Sequence, residues 1–362
     1  MKPPSKLDDL FAPILERADF HPYFARVFDH GAPVEKAVVN AWAEGFPDRD
    51  GKFVKEFQGS FNSSFWELYL HAALRTSGFG IDCTHDRPDF LISGECGDLA
   101  LEAVVALNPD EYAPDWARHA SPRGLDFERL LDLASLRLAQ SVQSKSDKWL
   151  KSYSTLPHCM DRGLIICVAP FEQPFGQLQG TQAIARVLFG EVHDLVLQNG
   201  QRSLRVGETT QSETFKPSGS PIKLGLFRDP SLAHVSGVLF SSLATWSKVS
   251  ALADDDGRMF EFHAIRRVGH EIRSETSSKP DYRETLLDGL HLFLKSLRLA
   301  TTICRAMASR WRWRASTRRP RSSSGLGRPG RDASDATVRP IRRPGYRVVR
   351  RRYAQRLRLC PA

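Results

Sequence analysis

Three carboxylates stand at positions where an apolar pattern would exclude them. Glu67 lies within Phe65-Trp66-Glu67-Leu68-Tyr69-Leu70, with Leu70 and Leu74 three and seven residues further along the same helical face. Asp89 follows Pro88 and opens the apolar run Phe90-Leu91-Ile92, and Glu102 interrupts Leu99-Ala100-Leu101 and Ala103-Val104-Val105. A carboxylate in an apolar strand is costly unless it is paired, protonated or bound to a cation. Two such acids on adjacent strands make an oxygen-rich site suited to Mg²⁺ or Mn²⁺. The plain alternative for each acid is a buried salt-bridge partner.

The elements that must position these acids are legible around them. Residues Ser63–Thr76 read as a helix, apolar almost all round and ended by Gly78. Strands are expected at Gly80–Thr84, Asp89–Ser93 and Leu99–Ala106, a long helix from about Asp126 to Tyr153, and a buried strand at Gly163–Ala169. The order is helix, three strands, helix, strand. Before it, short helices broken by Pro and Gly are expected over about residues 5–58. After it come a helix at Gln182–Phe189, strands at Leu195–Gln198, Ile222–Phe227 and Val235–Phe240, and helices at Ser242–Ala253 and 284–300.

This order, taken with Pro88-Asp89, Glu102 and the helical Glu67, resembles the PD-(D/E)xK or restriction-endonuclease-like nuclease superfamily over roughly residues 60–170. The resemblance implies an α/β fold with a restriction-endonuclease-like α-β-β-β-α-β core and a mixed sheet. It also implies that Asp89 and Glu102 hold a metal whose bound water attacks the phosphodiester, with Glu67 as accessory ligand or supporting acid. The family pattern places Lys two positions after the second acid, where this chain has Val104. Some members supply the Lys from the following helix, and here Lys145 and Lys148, three apart on one face, are the candidates, Lys145 the preferred one. The expected function is divalent-metal-dependent hydrolysis of nucleic acid, DNA or RNA. The alternatives are a catalytically inactive binding or regulatory module on the same fold, and a metal-dependent enzyme acting on another substrate. Under the nuclease reading, Arg118, Arg123, Arg137, Lys145, Lys148 and Lys151 should form one basic rim beside the acids.

Four segments follow: 1–58 helical, 59–170 the nuclease-like core, 171–300 an α/β extension, and 301–362 an Arg-rich tail. The net charge of +9 on 362 residues conceals an asymmetry. Residues 301–362 hold 18 Arg, no Lys and two acids, whereas the other 300 residues carry 33 basic and 40 acidic groups. Total charge therefore says nothing about nucleic-acid binding by the body of the chain. The tail reads either as a disordered arm binding nucleic acid or as the product of a shifted reading frame in a GC-rich gene, and Arg without Lys favours the second. Six scattered Cys without a C-x-x-C pair fit reduced thiols, and no apolar run reaches membrane-spanning length, so a cytoplasmic protein without a membrane partner is expected. P-loop, H-E-x-x-H and G-x-S-x-G motifs are absent. His85 reads as a turn residue at the edge of the acid site.

Overall fold

In the computed structural model, the described residues are 7–253, apart from 8, 77–78, 95–96, 109–115, 117–125, 174, 177–178, 199–200, 217 and 229. The backbone of 264–266, 283–287, 290–294 and 347–349 is described as well. Residues Met1–Ala253 with Pro280–Trp311 form one compact unit, and Asp254–Lys279 with Arg312–Ala362 a second.

Helices α1 (Pro22–His30), α2 (Pro33–Trp42), α3 (Phe53–Gly59) and α4 (Phe61–Thr76) lead into strands β1 (Gly80–Asp82), β2 (Phe90–Gly94) and β3 (Gly97–Val105). Helix α5 (Phe127–Lys148) runs into a π-helical turn at Trp149–Tyr153, where the Ser154 N–H donates to the Trp149 carbonyl. Strand β4 (Gly163–Ala169) and helix α6 (Gln182–Phe189) follow. Next come the antiparallel pairs of β5 (Glu191–Gln198) with β6 (Gln201–Thr210) and β7 (Glu213–Phe215) with β8 (Pro221–Lys223), then β9 (Val235–Phe240) and α7 (Trp246–Leu252).

The central sheet is mixed, in the order β1-β2-β3-β4-β9: β1, β2 and β3 pair antiparallel, and β3, β4 and β9 parallel. β3 is paired along both edges, by β2 and β4, and helices cover both its faces, which is why its sequence is a near-continuous apolar run. Leu99, Leu101, Ala103 and Val105 join one core with α1, α3 and α4, including Phe24, Phe57, Phe65, Trp66 and Leu70. Ala100 on the other face joins a second core with Leu138 and Val142 of α5 and Ile184 of α6. Glu102 occupies that second face, in the row Ala100–Glu102–Val104. The buried Trp66 indole N–H donates to the Cys167 carbonyl of β4 at 3.1 Å, fixing α4 against the sheet.

Two expectations are corrected here. Residues 284–300 were expected to be helical, but β11 (Arg283–Leu287) and β12 (Leu290–Leu294) form an antiparallel pair with Leu287 opposite Leu290, and β12 extends the sheet at β9. Leu286, Leu290 and Leu294 satisfy helical spacing, but Asp288-Gly289 is the residue pair that two-residue hairpins favour. At Ile222–Phe227 the strand is confined to Pro221–Lys223; Gly225, with φ 68°, turns the chain into a 3₁₀ segment at Leu226–Arg228. In the second unit, β10 (Ala264–Arg266) pairs antiparallel with β13 (Arg347–Val349). The rest of the Arg-rich segment, His270-Glu271 and Cys96, Cys304 and Cys360 lie outside the described residues. Cys83, Cys159 and Cys167 are free thiols. Among the described residues no helix is long and apolar enough to cross a membrane.

Candidate active site

The β2–β3 register brings the two strand acids together. Phe90 faces Leu101, so the next step outward sets Asp89 opposite Glu102, on the face that α5 covers. Just beyond the start of β2, the Ala103 N–H donates to Asp89 Oδ2 at 2.6 Å. Glu102 is only 3% exposed; its Oε1 accepts from Lys145 Nζ at 2.7 Å, with Lys148 Nζ at 3.7 Å. Lys148 also lies over the Tyr153 ring, at 5.2 Å from the centroid, so the π-helical turn helps hold it at the site.

Glu67 reaches the same cavity, of about 500 Å³, from α4. Asp89, Glu102, Lys145, Lys148 and Val104 line it too, so every proposed site residue meets there. Val104 leaves one wall of the cavity apolar. Of the expected rim, Arg137 lines this cavity and Lys151 an adjoining recess, while Arg118 and Arg123 lie outside the described residues. His85 stacks on His158 with ring centroids 3.7 Å apart, consistent with a turn residue, and its neighbour Asp86 lines the cavity.

The acids oppose one another electrostatically. Burial, reinforced by Asp89, pushes the Glu67 carboxyl up to about 8, so it is largely protonated at neutral pH. Burial and then the charge of Glu102 raise Asp89 to about 6, against the opposing pull of Lys145, the Ala103 N–H and Arg49. Glu102 Oε2 is buried with no hydrogen-bond partner. An all-oxygen donor set with one unsatisfied buried oxygen fits a hard divalent cation held by Asp89 and Glu102. Among the described residues, however, no three His, Cys, Asp or Glu are grouped closely enough to hold a metal ion by themselves.

Sequence reasoning missed Arg49. Its guanidinium, half-buried before α3, donates to the carbonyls of Cys83 (2.8 Å), Asp86 (3.2 Å) and Asp89 (2.6 Å). It thereby clamps the β1–β2 connection that carries Asp89. A residue acting on carbonyls some forty positions away leaves no spacing signal. Arg49→Met is expected to cost on the order of 2 kcal/mol in denaturant unfolding and to weaken cation binding at Asp89. Unchanged unfolding and cation affinity would show that the connection holds its shape without the clamp.

Comparisons of the chain with protein-family models, with curated proteins and with solved structures found no match.

Proposed function

We propose that this chain is a divalent-metal-dependent nuclease, hydrolysing nucleic-acid phosphodiesters on a restriction-endonuclease-like core. The observation that carries the reading is the meeting of Asp89 and Glu102 on one sheet face, with Lys145 and Lys148 at Glu102 and Glu67 in the same cavity. The order α4-β1-β2-β3-α5-β4 and the mixed sheet support the fold assignment. In this reading Asp89 and Glu102 hold Mg²⁺ or Mn²⁺, which when bound lowers the pKa of the attacking water. Glu67, protonated until about pH 8, is a supporting acid able to hold a proton inside the cavity. Lys145 and Lys148 supply the positive charge that opposes charge developing on the phosphate.

The second reading, a catalytically inactive module that binds or regulates, is favoured by Val104 and by the Lys145–Glu102 contact, which already neutralises one acid. Calorimetric titration of the full chain with Mn²⁺ separates the two. The nuclease reading expects binding in the parent that Asp89→Ala and Glu102→Ala each abolish. A folded parent that takes up no Mn²⁺, with or without an oligonucleotide present, overturns it and leaves the module.

A further inference from the structure

The acid cavity does not end at Lys148. A second recess of about 510 Å³ continues along the polar face of α5 and shares Gln140, Ser144 and Lys148 with it. Its far wall is the β7–β8 hairpin, which packs on α5 and contributes Lys216 and Ile222. Lys148, Lys151 and Lys216 line the recess against one acid, Asp147. From Arg137 to Lys151 is fourteen residues, roughly 20 Å at the helical rise. That is long enough for about six nucleotides at the duplex rise per strand. Beside Lys216, Phe215 is 58% exposed on the outer face of the hairpin, opposite the face on which Thr214 and Ile222 meet α5, so a strand crossing the hairpin reaches this ring before it enters the recess. An exposed aromatic ring next to a row of cations is what an unpaired base needs for stacking, and a base held inside a duplex cannot use it.

We infer that this groove is the track of a single-stranded polynucleotide, entering at the β7–β8 hairpin and running along α5 to the acids. Lys151 and Lys216 contact phosphates, and Phe215 stacks a base. The inference rests on the nuclease reading for the direction of the track but deepens it by naming the substrate class. The hairpin lies outside the segment that resembles the nuclease superfamily, so the entry to the track is built by this chain's own extension.

The test is binding without cleavage. The full chain is titrated in EDTA with a labelled single strand long enough to fill the groove, with the matching duplex, and with a dinucleotide. Residues 301–362 contribute equally to parent and variants, so differences between them report the groove. Lys151→Gln/Lys216→Gln is expected to weaken single-strand binding about tenfold and to flatten its dependence of log K on log salt by about 1.4, at ~0.7 per phosphate contact. Phe215→Ala should weaken it about tenfold with the salt slope unchanged. Neither change should alter duplex or dinucleotide binding. Single-strand affinity and salt slope equal to the parent in these variants would overturn the track, as would equal losses on duplex. The catalytic reading fails separately: if Mn²⁺ binding is absent while the oligonucleotide still distinguishes the variants, the track stands without the nuclease.

Discussion

On the nuclease reading, Asp89→Asn is expected to lower metal-dependent cleavage by about 10³-fold or more and, in the absence of metal, to raise the melting temperature at pH 8. The two effects share one cause. Asn keeps the acceptor for the Ala103 N–H but removes a negative charge set against Glu102 and Glu67. Loss of a metal ligand forfeits several kcal/mol of transition-state stabilisation, and each ~1.4 kcal/mol is a tenfold change in rate. The stability gain follows from proton linkage. Folding raises Asp89 from 3.8 to about 6 and Glu67 from 4.5 to about 8. These two carboxyls therefore bind more protons in the folded protein than in the unfolded chain from about pH 4 to about pH 8, only partly offset by His21, which burial lowers to about 4. The stability these groups contribute is complete below their unfolded values and is lost as pH rises through the folded ones. The metal-free parent should be more stable at pH 5 than at pH 8, by an amount on the order of a few kcal/mol, and melt correspondingly higher. In Asp89→Asn that difference should shrink. Added Mn²⁺ should stabilise the parent most at pH 8, where the acids are ionised, and leave the variant unmoved. If the variant instead melts below the parent at pH 8, the Asp89 charge is a structural anion of the β1–β2 connection rather than a ligand held in reserve.

This tension between charge and burial is also what made the acids legible. Glu102 interrupts a strand whose other residues alternate between two cores, so its presence calls for a cation, and the residues of β3 alone disclose it. The register needed only one further inference, that Asp89 lies one step beyond the first pair of β2 and β3. Gly163–Ala169 and Gln182–Phe189 were readable to the residue because apolar runs of strand and helix length end at clear breaks: Pro170 for the strand and Gly190, left-handed at φ 68°, for the helix. Strand β6, over Gln201–Thr210, was missed because Gln, Arg, Ser, Glu and Thr dominate it and leave no alternating apolar pattern. Its pairing partner β5 was found only in its last four residues. Sequence reasoning slightly preferred Lys145 to Lys148 but had no means of fixing their distances to the acids. Both lie on one face of α5, and only the approach of the helix to β3 sets one Nζ at 2.7 Å and the other at 3.7 Å from Glu102. The second role of Lys148, over the Tyr153 ring, depends on a π-helical turn that no spacing rule announces.

That difference in distance carries the second large effect. Lys145→Met should destabilise the metal-free protein by about 2–4 kcal/mol at neutral pH, read by denaturant unfolding. It leaves the buried Glu102 with one oxygen already unsatisfied and the other stripped of its closest donor. Removing one member of a buried pair typically costs 3–5 kcal/mol, and Lys148, already within 3.7 Å, recovers part of this by moving in. The reverse deletion is milder. In Glu102→Leu the Lys145 side chain, 19% exposed, can extend to water, whereas Glu102, at 4%, cannot. Glu102→Leu/Lys145→Met should therefore recover most of the loss, because an apolar pair of similar volume replaces an ion pair whose desolvation was never fully repaid. The cycle is read in stability alone, so it does not depend on finding the substrate. A coupling of about 1–3 kcal/mol would establish that Lys145 is the resident counter-ion of Glu102. On the nuclease reading, a cation bound by Glu102 would take the place of this contact and leave Lys145 free to face the phosphate. If the two changes are additive, Glu102 is neutralised some other way, and Lys148 with the Tyr153 turn becomes the cation to test.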